Sequence, residues 1–261
     1  MDLGLGGKAV LVTGGSNGIG RATAARLLTE GARVAICARN ADRLETTAAV
    51  LRAAHGGELV AICADVSTAE GVQRFVEGAL ERLGGVYGLV NNAGTSGANP
   101  FLSLSDADWQ ADIDIKLMAA VRTVRLCLPH LREVQGAVVN VVAIGGKAPG
   151  ARSLPSTVTR AAGLALTKAL SKEFAPERVR VNAICIGTVR SGQHDPEWEH
   201  EYAHLSRDEF YADVARKRAI PMGRVGEAEE AGDLIAYLLS ERARFINGVA
   251  VNLDGGAAPV L

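Results

Sequence analysis

Short apolar runs alternate along this chain with longer stretches in which apolar and polar positions share a helical period. The apolar runs near 8–13, 33–38, 58–63, 86–91, 136–142, 178–184 and 248–253 predict buried strands. Amphipathic stretches near 18–30, 41–55, 68–83, 106–132, 156–174 and 227–240 predict helices. Such alternation predicts an α/β fold with a doubly wound parallel sheet of about seven strands and helices on both faces, because each right-handed crossover lays its helix over the sheet. No Pro- or Ser-rich linker and no internal repeat divides the chain, so 1–261 reads as a single domain. The rhythm breaks at about 186–222, a segment rich in charge, His and Pro. Ligands of an open α/β sheet bind beyond the carboxyl ends of its strands, so an insertion after the 178–184 strand predicts a lid.

Composition sharpens this picture in a few places. The chain is 48% hydrophobic but only 4% aromatic, so Ala, Val, Leu and Ile must fill the core. The net charge is −1 with no long run of one sign, which argues against a nucleic-acid surface. Cys37, Cys63, Cys127 and Cys185 stand singly in apolar runs, as reduced thiols of a cytoplasmic protein would. The opening MDLGLGG has no signal-peptide pattern, and no apolar run approaches the roughly 20 residues of a membrane helix, so no membrane partner is expected.

The most telling segment is the strand ending at Thr13 and the turn after it, Gly14-Gly15-Ser16-Asn17-Gly18-Ile19-Gly20. A strand, a glycine turn and the start of a helix aim free backbone N–H groups at one spot, which suits a pyrophosphate. Glycine is needed where the chain turns sharply and where a ligand touches bare backbone. Asp65-Val66 after the third strand offers a carboxylate to an adenine amino group. Asn91-Asn92-Ala93-Gly94 after the fourth leaves room for a ribose. Arg39 closes the second strand where an acidic residue would bind a ribose 2′-hydroxyl. A guanidinium there suits a 2′-phosphate, favouring NADP over NAD; the alternative is an exposed loop charge.

In their order and spacing these motifs resemble the short-chain dehydrogenase/reductase family, from about Lys8 to Gly256. The resemblance includes Asn140 in Val-Val-Asn-Val, the helix from Ala161 to Lys168, the Arg180-Val-Asn-Ala-Ile184 strand and the closing Val251-Asn-Leu-Asp-Gly-Gly256. It implies a Rossmann-type fold, NAD or NADP, and a homotetramer or dimer joined through the helices near 106–132 and 156–174.

The same resemblance exposes a departure. Typical members use a Tyr-x-x-x-Lys pair, a serine about thirteen residues before the tyrosine and an asparagine on the preceding long helix; lysine lowers the tyrosine pKa so that the phenol can exchange a proton. Aligned without gaps, Ser156 stands at the tyrosine, Arg160 at the lysine, Ala143 at the serine and Lys116 at the asparagine. The tyrosines are Tyr87, Tyr202, Tyr211 and Tyr237, so no local shift restores the pair. A serine hydroxyl is a far weaker acid than a phenol, and arginine stays protonated.

Ser156 and Arg160 are four apart and share a helix face, and the resemblance puts Lys116 nearby. Two cations and a hydroxyl beside a nicotinamide suit an anionic substrate, with Arg160 as clamp. The alternative is that Lys116 and Arg160 fill space and pair with acidic side chains. Past the sixth strand, the resemblance gives Gly187, Val189 and Ser191 to the nicotinamide carboxamide. His200-Glu201-Tyr202-Ala203-His204 matches the HExxH zinc pattern but lacks a clear third ligand, so no metal is assigned. Two readings of this stretch stand instead: a solvated lid face, which is favoured, or proton donors from the lid in His194, His200, Tyr202 and His204. The chain therefore reads as an NADP(H)-binding oxidoreductase with a replaced catalytic set, acting on an anionic carbonyl or alcohol. The alternatives are a lyase or isomerase on the same scaffold, or an inactive nucleotide-binding sensor.

Overall fold

The computed structural model describes residues 2–192 and 195–261. Strands β1 (Ala9–Thr13), β2 (Arg33–Ala38), β3 (Leu59–Cys63), β4 (Gly88–Asn91), β6 (Ala137–Ala143), β8 (Arg180–Ile186) and β9 (Ala250–Leu253) form one parallel sheet in the order β3-β2-β1-β4-β6-β8-β9. Two further strands, β5 (Ala98–Asn99) and β7 (Leu154–Pro155), pair antiparallel as a separate ribbon. The order reverses beside β1, which pairs with β2 on one side and β4 on the other. A crevice opens at such a reversal, at the carboxyl ends of the strands.

Helices α1 (Gly18–Thr29), α2 (Ala41–His55) and α9 (Ala228–Leu239) pack on one face of the sheet, burying Leu27, Val34, Ile36, Leu44, Ile235 and Leu239. On the other face α3 (Ala69–Leu83), α5 (Ala119–Val134) and α6 (Ser156–Glu173) cover a second core that contains Phe75, Val76, Leu83, Leu89, Leu131 and Val181. With few aromatic residues, the β-branched and leucine side chains of strands buried on both faces supply most of the packing. Helix starts are set by side-chain caps: Asn17 accepts from Gly18 N at 2.7 Å, Asn40 from Arg43 N at 2.8 Å, and Thr68 from Gly71 N at 3.0 Å. Arg180 donates to the carbonyls of Leu238, Leu239 and Ser240 at 2.6–3.1 Å, tying the end of α9 to β8.

The structure departs from the sequence expectation in two places that matter for the site. The stretch 106–132 is not one helix. It is α4 (Asp106–Ile113), a π-helical turn at Asp114–Met118, and then α5. The inserted residue of a π turn lies within a pattern of unbroken helical polarity, so periodicity does not reveal it. The segment at 186–222 contains α7 (Asp195–Glu201) and α8 (Arg207–Lys217). Residues of α8 join Ile220 and Val225 beyond it in a separate apolar cluster of Phe210, Tyr211, Val214, Ala215, Ile220 and Val225, flanked by Trp198 and Tyr202. Among the described residues no helix is long and apolar enough to cross a membrane.

Phe75 is fully buried between α3 and the sheet. Phe75→Ala is expected to lower the free energy of unfolding by about 3–5 kcal/mol, read as a lower urea midpoint at unchanged slope.

Candidate active site

A cleft of about 460 Å³ opens where the carboxyl ends of β1, β2, β4, β6 and β8 converge. Gly14, Ser16, Asn17, Gly18 and Ile19 line it from the first turn. Gly14 and Gly18 have φ of +69° and +50°, backbone that side-chain-bearing residues rarely adopt. Gly20 does not line the cleft; it packs so tightly under the turn that a Cβ would collide with the carbonyl oxygen of Gly14. Asn92 locks the turn to β4, donating from Nδ2 to the carbonyls of Thr13 at 2.9 Å and Gly14 at 3.1 Å. This cradle has the bare backbone that a bound pyrophosphate requires.

Arg39, Asp65, Val66, Ala93 and Gly94 line the cleft as expected from their strand ends. Asp65 Oδ1 is held by Ser67 N at 3.0 Å and Ser67 Oγ at 2.8 Å. The Asn91 side chain, expected at the cofactor, turns away from the cleft, donating to Asn140 Oδ1 at 2.9 Å and accepting from Thr123 Oγ1 at 2.7 Å. The neighbouring Asn92 takes its place in the wall, because successive residues at a strand end point to opposite sides. Arg43, one turn into α2, joins Arg39 in the lining, and no carboxylate among the described residues pairs with either.

Of the residues that the resemblance aligns with the family's catalytic positions, Ser156 and Lys116 meet, a different pairing from the one helix periodicity suggests. Ser156 opens α6 and faces the cleft. Its partner is Lys116, whose Nζ donates to Ser156 Oγ at 2.8 Å from the π turn. Lys116 also forms an ion pair with Asp112, four residues earlier, and Thr159 donates to the other carboxylate oxygen of Asp112 at 2.6 Å. The side chains of Lys116 and Asp112 are only 2% and 6% exposed. Arg160 lines the cleft, donates from Nη1 to the carbonyl of Val141 at 2.7 Å, and keeps a buried Nε without a protein partner. Ala143 also lines the cleft and brings no donor. Behind this wall lies a second cavity of about 20 Å³, bordered by Thr13, Asn91, Lys116, Asn140, Thr159 and Arg160.

Burial sets the charges here. Loss of water pushes the Lys116 ammonium below the usual lysine range; the Asp112 contact opposes that shift, and the Arg160 charge adds to it. Burial likewise lowers the Arg160 guanidinium from its ordinary value. The Lys116 charge is thus answered by Asp112, as one of the two sequence alternatives proposed. Asp112 was missed in the sequence although its i, i+4 spacing to Lys116 was a usable signal. Thr188 and Arg218, also in the lining, carried no such signal.

Gly187, Val189 and Ser191 lie in the cleft wall past β8, where Ser191 N donates to Tyr211 Oη at 3.3 Å. None of the four tyrosines lines the cleft. Tyr202 instead accepts from Lys217 at 2.9 Å and packs on Phe210. The HExxH pattern loses its geometry because α7 ends at Glu201, which leaves His204 beyond the helix that carries His200. Among the described residues no three His, Cys, Asp or Glu side chains gather as a metal site. His194 lies outside the described residues.

Comparison with known proteins agrees with this geometry. The short chain dehydrogenase family profile matches residues 8–202. Meso-2,3-butanediol dehydrogenase of Serratia marcescens is 31% identical over 250 residues, covering 96% of this chain and 94% of that protein. The crystal structure of L-sorbose reductase from Gluconobacter frateurii, complexed with NADPH and L-sorbose, superposes with a TM-score of 0.94 at 32% identity, with complete coverage of both chains. An NADPH-bound short chain oxidoreductase from Pseudomonas aeruginosa, described as containing an atypical catalytic center, gives a TM-score of 0.91 at 34% identity, covering 97% of this chain and 98% of that one.

Because a methyl group on Gly20 meets the Gly14 carbonyl, Gly20→Ala is expected to deform the turn. Equilibrium titration with NADPH should show affinity lowered by about tenfold or more while circular dichroism keeps its native shape.

Proposed function

The chain belongs to the short-chain dehydrogenase family, and on that premise we propose that it is an NADP(H)-dependent oxidoreductase acting on a small carbonyl compound and its alcohol, with Ser156 and Lys116 moving the proton. The observation that carries the proposal is the 2.8 Å contact between Lys116 Nζ and Ser156 Oγ at the wall of the cleft.

Gly14, Ser16, Asn17, Gly18 and Ile19 cradle the cofactor's phosphates, Asp65 and Val66 border its adenine, and Arg39 takes the 2′-phosphate. Gly187, Val189 and Ser191 hold its carboxamide end, and Gly94 leaves room for a ribose beside Arg160. Bound NADPH supplies the hydride.

The protein's own part is the proton. Lys116 donates to Ser156, which leaves the Ser156 O–H free to donate into the cleft toward a carbonyl oxygen. As that oxygen gains negative charge, the Ser156 proton moves to it, and a Lys116 proton moves to the Ser156 oxygen. The alcohol leaves with a new C–H and a new O–H bond, and Lys116 is left neutral. A serine beside a lysine is an activated hydroxyl in other enzyme classes, so the missing phenol is not a missing proton route. Asp112 keeps Lys116 charged in a buried place, and Thr159 fixes Asp112. Arg160 holds the floor of the cleft with its fixed positive charge, which favours an acid-bearing substrate. The family and the NADPH-bound neighbours support redox chemistry over a lyase, isomerase or sensor role.

We further propose that the protein works in the cytoplasm as a dimer or tetramer joined through α4, α5 and α6. Its four cysteines are unpaired, and the exposed Leu126, Val134 and Val158 on two of those helices support the assembly.

Lys116→Met is expected to lower kcat for NADPH-dependent reduction about 10²–10⁴-fold with little change in NADPH affinity, measured by cofactor absorbance and by direct titration. Reduction needs Lys116 protonated, so activity falls as pH rises through the Lys116 pKa. Asp112→Asn removes the anion that raises this pKa and leaves the Arg160 charge that lowers it. The alkaline limb of the pH–rate profile is therefore expected to move to lower pH; an unmoved limb would remove Lys116 from the proton route. Arg39→Ala is expected to raise the KM for NADPH by about tenfold or more and leave that for NADH unchanged.

A further inference from the structure

Cations are unevenly placed around the cleft. Arg39 and Asp65 sit at the ends of β2 and β3, four and five strand spacings from β8, or about 19 and 24 Å across the sheet. That flank receives the adenosine end of the cofactor. The opposite flank is formed by the ends of β6 and β8, where Ala143 pairs with Ile186. There Lys116 is neutralised by Asp112, and Arg160 is largely enclosed and bonded to the Val141 carbonyl. Arg218 is different. Its guanidinium is exposed, lines the cleft, and is aimed by a 2.9 Å hydrogen bond from Nη1 to Thr188 Oγ1, two residues past the end of β8. No carboxylate among the described residues pairs with it, and the one acidic residue in the lining, Asp65, is on the far flank.

The chain bends to put Arg218 there. Helix α8 ends at Lys217 with Arg218 as its C-cap, and Ala219 takes φ of +47°, a left-handed conformation that favours glycine. The bend sends Ile220 into the apolar cluster of the 195–225 segment and leaves Arg218 over Thr188. A left-handed residue just past a helix is a common terminator, and Ile220 N closes the end of α8 by donating to the Ala215 carbonyl at 3.1 Å.

We propose that Arg218 is the residue that recognises the substrate's acid group, so that the preferred substrates are carbonyl compounds bearing a carboxylate or phosphate. The inference rests on the oxidoreductase reading of the same cleft. It assigns the anion clamp to Arg218 at the mouth and leaves Arg160 as the floor. A planar guanidinium fork pairs with either oxyanion, and Thr188 fixes one of its nitrogens in advance.

The test uses matched pairs: levulinate against methyl levulinate, and dihydroxyacetone phosphate against dihydroxyacetone. With the wild-type protein, at least one acid is expected to show kcat/KM about tenfold or more above its neutral partner, and the two pairs tell carboxylate from phosphate. Arg218→Ala should erase that ratio through KM and leave kcat for the neutral compounds and NADPH affinity within about twofold, while Arg218→Lys keeps part of the ratio. Equal use of acid and neutral partner by the wild type, or an Arg218→Ala effect shared by both or seen as weakened NADPH binding, would overturn the assignment. Calorimetric binding of the acids to the NADPH complex separates this from the underlying reading. If nothing is turned over but an acid binds the wild type and not Arg218→Ala, the clamp stands and the redox reading fails. If no acid binds either protein, the clamp fails.

Discussion

A lysine removed from water must bring its counter-charge with it, and the interior of this protein is arranged around that requirement. An isolated ammonium in a nearly closed site would lose its proton or unfold its surroundings. Asp112 answers Lys116 from one helical turn away, and Thr159 answers Asp112 from α6. The π turn at Asp114–Met118 lets Lys116 reach both Asp112 and Ser156. Take away Asp112 and the buried ammonium keeps only the neutral Ser156 hydroxyl as a partner. On the proposed reading this small network takes the place of the family's phenol, with the amine reaching the substrate through the Ser156 hydroxyl.

The nucleotide half of the molecule follows a simpler logic. A parallel sheet whose order reverses beside β1 opens a crevice there, and a turn of glycines lets a ligand approach backbone N–H groups. Asn92 and Thr13 then stitch β4 to that turn, so the cradle is fixed by the sheet itself. Chemistry at the other end can change while this half remains intact, which is how one scaffold comes to host several proton donors.

Much of this was legible in the sequence. Strand and helix positions follow from apolar runs and helical periods, and boundaries differ by a residue or two, chiefly at the first residues of strands. Glycine placement exposed the cradle, since each glycine answers a local steric demand. What stayed hidden depends on contacts between distant segments. Helix spacing pointed from Ser156 to Arg160, but the hydroxyl bonds Lys116, forty residues away. Asn91 and Asn92 are chemically identical, and only the pleat of β4 decides which one faces the cleft. Arg218 lies in a charge-rich stretch where nothing distinguishes it until α8 folds back over Thr188.

The small ribbon formed by β5 and β7 has a mechanical meaning. Ala98 and Asn99 pair with Pro155 and Leu154, and Ser156 N donates to the carbonyl of Gly97 at 3.3 Å. The rim that follows β4 and the first residue of α6 are thereby yoked together. A bulky guest that pushed this rim outward would drag the serine hydroxyl with it, so pocket width and donor placement cannot be tuned separately. Widening the pocket without loss of chemistry would call for changes on the opposite bank, between β8 and α8.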